Sequence, residues 1–214
     1  MCFKWPVSLT RSPMIFFSSA IFLGLMGCVG AGGTQVQIAH DALSTPKQSF
    51  SESIVMQKSA DDDRMGGRIG HATFTLFAIE SGDVTSTTPL TEEIVTHVRQ
   101  ALESLGYQVT LVDSTHPVPN PSNILKVRIH KYYFRNYNWL WPIVPTWGSI
   151  ALELTIQNTD GKASYQKSFS GSGNSYCLTG ECAFGAAMKE ALTEVLNKIV
   201  EACSSDEFRH AVKT

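Results

Sequence analysis

Two spacings of apolar residues run along this chain, one of two positions and one of three to four. Ser53-Ile54-Val55-Met56 is a short apolar run that predicts a first strand. Ala72 to Ile79 (ATFTLFAI) predicts a second, with Phe74, Leu76 and Ala78 on one face and Thr73, Thr75 and Phe77 on the other. Leu90, Ile94, Val98, Ala101, Leu102 and Leu105 then recur at helical steps. Thr88 is a plausible N-cap, Pro89 suits the first helical position, Glu92 and Glu93 favour the positive end of the dipole, and Gly106 supplies the stop. Tyr107, Val109 and Leu111 alternate as the next strand. In Ile124–Phe134, Leu125, Val127 and Ile129 alternate with Lys126, Arg128 and His130, as one buried and one wet face require. Ile150, Leu152, Leu154 and Ile156 repeat the pattern. Asp160-Gly161 predicts a hairpin turn to a partner strand over 162–169, which Gly171, Gly173 and Asn174 are expected to break. Phe184, Ala187, Met188, Ala191, Leu192, Val195, Leu196 and Ile199 predict a second amphipathic helix ending near Cys203. The expected fold is α+β: a two-layer sandwich of a mostly antiparallel sheet of about five to six strands, with two amphipathic helices on one face.

The amino terminus follows a different logic. Lys4 and Arg11 precede an apolar segment, Met14 to Leu25, with no acidic residue to offset them. That segment is shorter than the roughly 20 apolar residues of a membrane span. Leu25-Met26-Gly27-Cys28 follows, and this order resembles the lipobox of bacterial lipoproteins. The resemblance implies cleavage before Cys28, a diacylglycerol on its thiol and an acylated amino group. Position 29 is Val, not Asp, so by resemblance to enterobacterial sorting the expected destination is the outer membrane, facing the periplasm. The expected organisation is a signal peptide over 1–27, a Gly-, Ser-, Thr- and Gln-rich tether over 28–50, one α+β domain over 51–204 and a tail over 205–214.

Charge then narrows the partners. Loss of Lys4 and Arg11 from 17 basic residues leaves 15 against 19 acidic ones, formally −4. No cluster of Lys or Arg remains to suggest nucleic acid. The expected contacts are the membrane, through the anchor, and an envelope protein, with a lipid or glycan as a possible ligand. Outside the cytoplasm thiols oxidise. Cys177 and Cys182 are therefore expected to bond to each other, although Cys203 could pair with either.

The sequence holds no constellation that commits it to a reaction. The six histidines are scattered singly, and Cys177 and Cys182 lack a second ligand pair for zinc. Asp61-Asp62-Asp63 lacks the rest of a calcium loop. Gly171-Ser172-Gly173 is neither a dinucleotide fingerprint, a P-loop nor a nucleophile elbow. No catalytic residue, metal or cofactor is expected. One stretch stands out: Tyr132-Tyr133-Phe134, Tyr137, Trp139-Leu140-Trp141, Ile143-Val144 and Trp147 place ten large apolar residues in sixteen positions. Of these, Phe134, Tyr137, Trp139, Leu140, Trp141 and Trp147 are the expected partner contacts, since exposed aromatic clusters mark interaction sites; the other reading is a loop folded back to cover one end of the sheet.

Asp62-x-Arg64, Ile69-Gly70, Leu105-Gly106-Tyr107-x-Val109 and Asp160-Gly161…Phe169-Ser170-Gly171 together resemble the YajG-type bacterial lipoproteins. More loosely, they resemble the auxiliary lipoproteins of envelope ABC transporters. The likeness covers roughly residues 52 to 202. It implies a periplasm-facing lipoprotein with no assigned chemistry, which presents a small α+β domain to a partner or, alternatively, binds a lipid or glycan within an envelope transport system.

Overall fold

β7 (Asn123–Tyr137) is the strand on which the sheet is assembled. The computed structural model describes residues 34–44, 50–64, 68–74, 79–113, 123–137, 143–158 and 160–213. One side of β7 is taken along nearly its whole length by antiparallel β8 (Val144–Asn158), which in turn pairs with antiparallel β9 (Ala163–Cys177). Its other side is shared by three short strands, each parallel to it: β2 (Ser53–Gln57) at the start, β3 (Asp61–Asp62) in the middle and β4 (Gly70–Phe74) at the end. Beyond β2 lies parallel β6 (Gln108–Val112). Beyond β4 lie β5 (Ile79–Ser86) and then β1 (Thr34–Val36).

The result is an open, mixed sheet of nine strands among the described residues, with three helices. It is larger than the expected five to six strands and less antiparallel. The meander is antiparallel as read, but five of the eight strand pairings are parallel. Parallel partners come from distant parts of the chain, so no local turn announces them.

α1 (Leu90–Ser104) buries Leu90, Ile94, Val95, Val98, Ala101 and Leu102. Its cap differs from expectation. Pro89 occupies the N-cap, while the Thr88 and Ser86 hydroxyls both donate to Glu93 Oε2, at 2.7 and 2.6 Å. Gly106 ends the helix with φ at 95°, a conformation glycine adopts without a Cβ clash. α2 (Gly180–Cys203) lies across β9, β8 and β7, and Thr179 accepts the Cys182 N–H at its start. The inward residues of β7 and β8, among them Leu125, Val127, Ile129, Ile150, Leu152 and Leu154, are essentially inaccessible and form one core with both helices.

β9 does not break at its glycines; it continues to Cys177. Gly171 and Gly173 are where α2 comes closest to the sheet. A Cβ at Gly171 would lie 2.5 Å from the carbonyl oxygen of Ala191, and one at Gly173 would overlap that of Ala187. The glycines therefore serve helix–strand contact rather than strand termination.

Two expected boundaries also move. Residues 34–36 of the expected tether form β1, Val36 and Ile38 are buried, and the described residues from Thr34 onward belong to one compact unit. The expected tail carries α3 (Asp206–Lys213), whose Phe208 is fully buried against Tyr107 and Tyr165.

Candidate interaction surface

A bulge in β7 determines which aromatic residues reach the surface. The ladder to β8 pairs Ile129 with Leu152 but then Lys131 with Ala151, leaving His130 as the extra residue. Up to Ile129 the odd-numbered residues face the core; past the bulge the even-numbered ones do. Tyr132, Phe134 and Asn136 are consequently buried, at no more than 1 % exposed. Phe134, expected among the partner contacts, is a core residue instead, because the extra residue reverses the faces. Tyr133, Arg135 and Tyr137 turn outward.

The outward face at this end is built from cross-strand rows. Arg135 on β7 sits opposite Trp147 on β8, which sits opposite Asn174 on β9. Tyr133, Ser149 and Ser172 form the next row, and Pro145 pairs with Tyr176. Tyr137 stacks on Trp147 with ring centroids 5.1 Å apart and planes 16° from parallel. The Arg135 guanidinium carbon lies 5.5 Å from the Trp147 ring and 5.9 Å from the Tyr137 ring, within cation–π range of both. The Tyr133 hydroxyl hydrogen-bonds His71 on β4. Among the described residues the exposed large hydrophobics are Tyr133, Ile143, Trp147, Tyr176 and Leu178, and all five belong to this end of β7–β8–β9 or its edge. Tyr176 and Leu178 are over 70 % exposed. Beside Trp147 a shallow depression of about 490 Å³ is lined by Lys131, Tyr133, Arg135, Ser149, Ser172 and Asn174, among others.

The expected contacts thus divide. Tyr137 and Trp147 stand together on this surface, Phe134 leaves it, and Trp139, Leu140 and Trp141 lie outside the described residues. Arg135, Asn174 and Tyr176 were not singled out from sequence. The continued polar alternation Ser170, Ser172, Asn174 and Tyr176 is the signal that could have shown β9 running on past its glycines. A disulfide joins Cys177, the last residue of β9, to Cys182 in the first turn of α2, with Cα atoms 5.9 Å apart. Cys203 is buried with its thiol reduced, and burial raises its pKa far above the ordinary thiol range. Cys28 lies outside the described residues.

Other candidate clusters resolve into structural roles. Arg64 forks onto Asp62, with Nε to Oδ1 at 2.8 Å and Nη2 to Oδ2 at 2.7 Å, and its Nη1 donates to the Arg68 and Tyr132 carbonyls. This pairing holds the Asp62 carboxyl below the ordinary aspartate value of 3.8. Asp61 and Asp63 turn toward Arg128, at 3.8 and 3.6 Å, rather than toward a shared point. His130 lies between Asp63 and Glu153, at 3.4 and 3.6 Å. No group of three or more His, Cys, Asp or Glu residues among the described residues could hold a metal ion. No described helix is long and apolar enough to cross a membrane.

No protein-family model and no curated protein matches the chain. Among solved structures, a Xanthomonas campestris protein described by the family model DUF330 superposes with a TM-score of 0.58 at 16 % identity, covering 85 % of this chain and all of that one. A minor lipoprotein from Acinetobacter baumannii gives 0.34 at 9 % identity, covering 70 % of this chain and 95 % of its own. PelC from Paraburkholderia phytofirmans, solved as a dodecamer, gives 0.36 at 10 %, covering 75 % and 92 %. The first of these shares the fold of this chain, and at such identity the likeness extends to the fold alone.

Proposed function

We propose that this chain is a bacterial envelope lipoprotein of the YajG type, anchored in the outer membrane through Cys28. In this reading it faces the periplasm, catalyses no reaction, and binds an envelope protein with the outward end of β7–β9. One observation carries the proposal: the exposed large hydrophobic side chains gather at one end of the sheet and are interleaved with Arg135. Tyr, Trp and Arg are the residues enriched at energetic centres of protein interfaces. A lipid- or glycan-binding role in an envelope transport system is the alternative. The layer between helices and sheet is filled by side chains such as Leu152, Met188 and Leu192, all at 0 % exposed, which favours an external surface over an internal lipid cavity.

The test places a photo-crosslinking amino acid at Trp147 in intact cells. A discrete protein adduct, absent when the crosslinker is moved to the exposed Lys162, supports the reading. Adducts with lipid or glycan alone favour the alternative, and equal labelling from both positions overturns the surface assignment. Cys28→Ser is expected to abolish acyl labelling and release the protein from the membrane fraction; acyl label retained in that variant would overturn the anchor.

A further inference from the structure

We infer that the outward end of β7–β9 receives an acidic stretch of polypeptide, its carboxylates held by Arg135 and Lys131 and its apolar side chains seated on Tyr133 and Trp147. The inference rests on the docking reading above and adds the chemistry of the partner. Its first support is charge. Lys131 and Arg135 are both exposed on β7, and among the described residues neither has a carboxylate partner. The neighbouring cations of the sheet are matched: Arg128 by Asp61 and Asp63, and Arg68 by Asp83 at 3.1 Å. Lys131 and Arg135 thus present two unmatched positive charges on a chain that is formally −2 as a whole. Such a patch steers and selects acidic partners.

The second support is geometry. Arg135 lies against the Trp147 and Tyr137 rings, at 5.5 and 5.9 Å. Ring contact restricts the guanidinium while leaving N–H donors at its edge, and that fork fits a carboxylate through two parallel hydrogen bonds. Ser149, Ser172 and Asn174 line the same depression and offer hydroxyl and amide groups to a peptide backbone. The partner meets the face of the sheet rather than its edge. Beside the depression, the backbone N–H groups of Ser172 and Asn174 are already bonded to Glu194 and Glu190, at 2.9 and 2.7 Å. The apolar area around the depression, from Ile143 to Tyr176, favours a polypeptide over a sugar chain.

The experiment pans a random phage-displayed peptide library against the full mature lipoprotein in detergent and measures each enriched synthetic peptide by fluorescence anisotropy. Enriched sequences are expected to pair Asp or Glu with aliphatic or aromatic residues and to weaken as salt rises. The Lys131→Glu/Arg135→Glu variant should bind them at least about tenfold more weakly and should gain affinity for a peptide whose acids are changed to Lys. Enrichment of neutral or basic peptides, or unchanged affinity in that variant, overturns the inference. Binding lost in Trp147→Ala but kept under charge reversal leaves the docking surface standing and removes its acidic chemistry. Binding indifferent to both variants removes both. Thermal melts of each variant confirm folding. Phosphatidylglycerol vesicles and an anionic polysaccharide run alongside, and binding of either at Arg135 without peptide binding also overturns the inference.

Discussion

The carboxylate of Glu194 on α2 accepts a hydrogen bond from the backbone N–H of Ser172 on β9 at 2.9 Å. One helical turn before it, Glu190 does the same for Asn174 at 2.7 Å, and one turn after it, Lys198 donates to the Ser170 carbonyl at 2.7 Å. Three helix residues at four-residue spacing therefore match three strand residues at two-residue spacing. β9 pairs only with β8, so these are outward groups of an edge strand, the groups through which sheets join edge to edge. The Lys198 ammonium and the Ser172 N–H hold the Glu194 carboxyl below its ordinary value. Replacing Glu190 and Glu194 by Ala should cost about 1 kcal/mol per bond lost and open the edge. The expected outcome is concentration-dependent self-association by sedimentation velocity, above that of the parent protein. An unchanged distribution would show that Gly171, Gly173 and the helix backbone suffice to cover the edge.

Two glycines should respond differently to the same substitution. Gly173→Ala drives a Cβ into the Ala187 carbonyl, so the helix must move, and overpacking of this kind costs about 1–3 kcal/mol. Gly161→Ala meets nothing within 4 Å, but its φ of 74° is unfavourable for alanine, at about 1–2 kcal/mol. Urea midpoints of the two variants compare them directly. A neutral Gly173→Ala would mean that the helix does not approach the strand as described.

The bulge in β7 makes Phe134 and Trp147 a matched pair with opposite behaviour. Phe134 is wholly buried, so Phe134→Ala should cost about 3–5 kcal/mol. Trp147 is 38 % exposed, and Trp147→Ala should lower the melting temperature far less while weakening partner binding. Equal losses of stability would place both rings in the core.

Acid should unfold this protein partly through His97. Both of its ring nitrogens are shielded from water, and burial followed by the nearby His40 lowers its pKa from 6.5, outweighing Glu93, Gln100 and the Ile38 backbone, which act to raise it. The unfolded chain then takes up a proton that the folded chain refuses. Stability is full above 6.5 and falls as pH drops below it toward the folded value. Melting temperatures between about pH 7 and pH 5 should fall less steeply in His97→Gln than in the parent. Identical slopes would exclude His97 as a contributor.

Much of the fold was legible because it is set by near neighbours in the chain. The stripe from Leu90 to Leu102 specified α1, since residues three and four apart share a helix face whatever else is present. The alternation of β8 named its buried face, and Asp160-Gly161 named the hairpin, where Gly161 indeed has positive φ. The thiols were only half legible. Sequence left Cys203 as a rival partner, whereas α2 sets Cys182 and Cys203 at opposite ends of one helix, about 30 Å apart at a rise of 1.5 Å per residue.

What the chain alone determined, then, was its local periods, its turns and the gathering of aromatic residues near β7 and β8. Tertiary structure decided the rest. A bulge exists only relative to a partner's register, so the burial of Phe134 and the exposure of Tyr133 and Arg135 followed from the pairing with β8. The glycines of β9 could end a strand or admit a helix, and only the position of Ala187 and Ala191 distinguishes these. The parallel strands β2, β3 and β4 dock on one side of β7 from more than sixty residues earlier in the chain, so no local turn sets their register with it. Local pattern fixes which face of an element is apolar; which elements meet, and in what register, is settled by long-range packing.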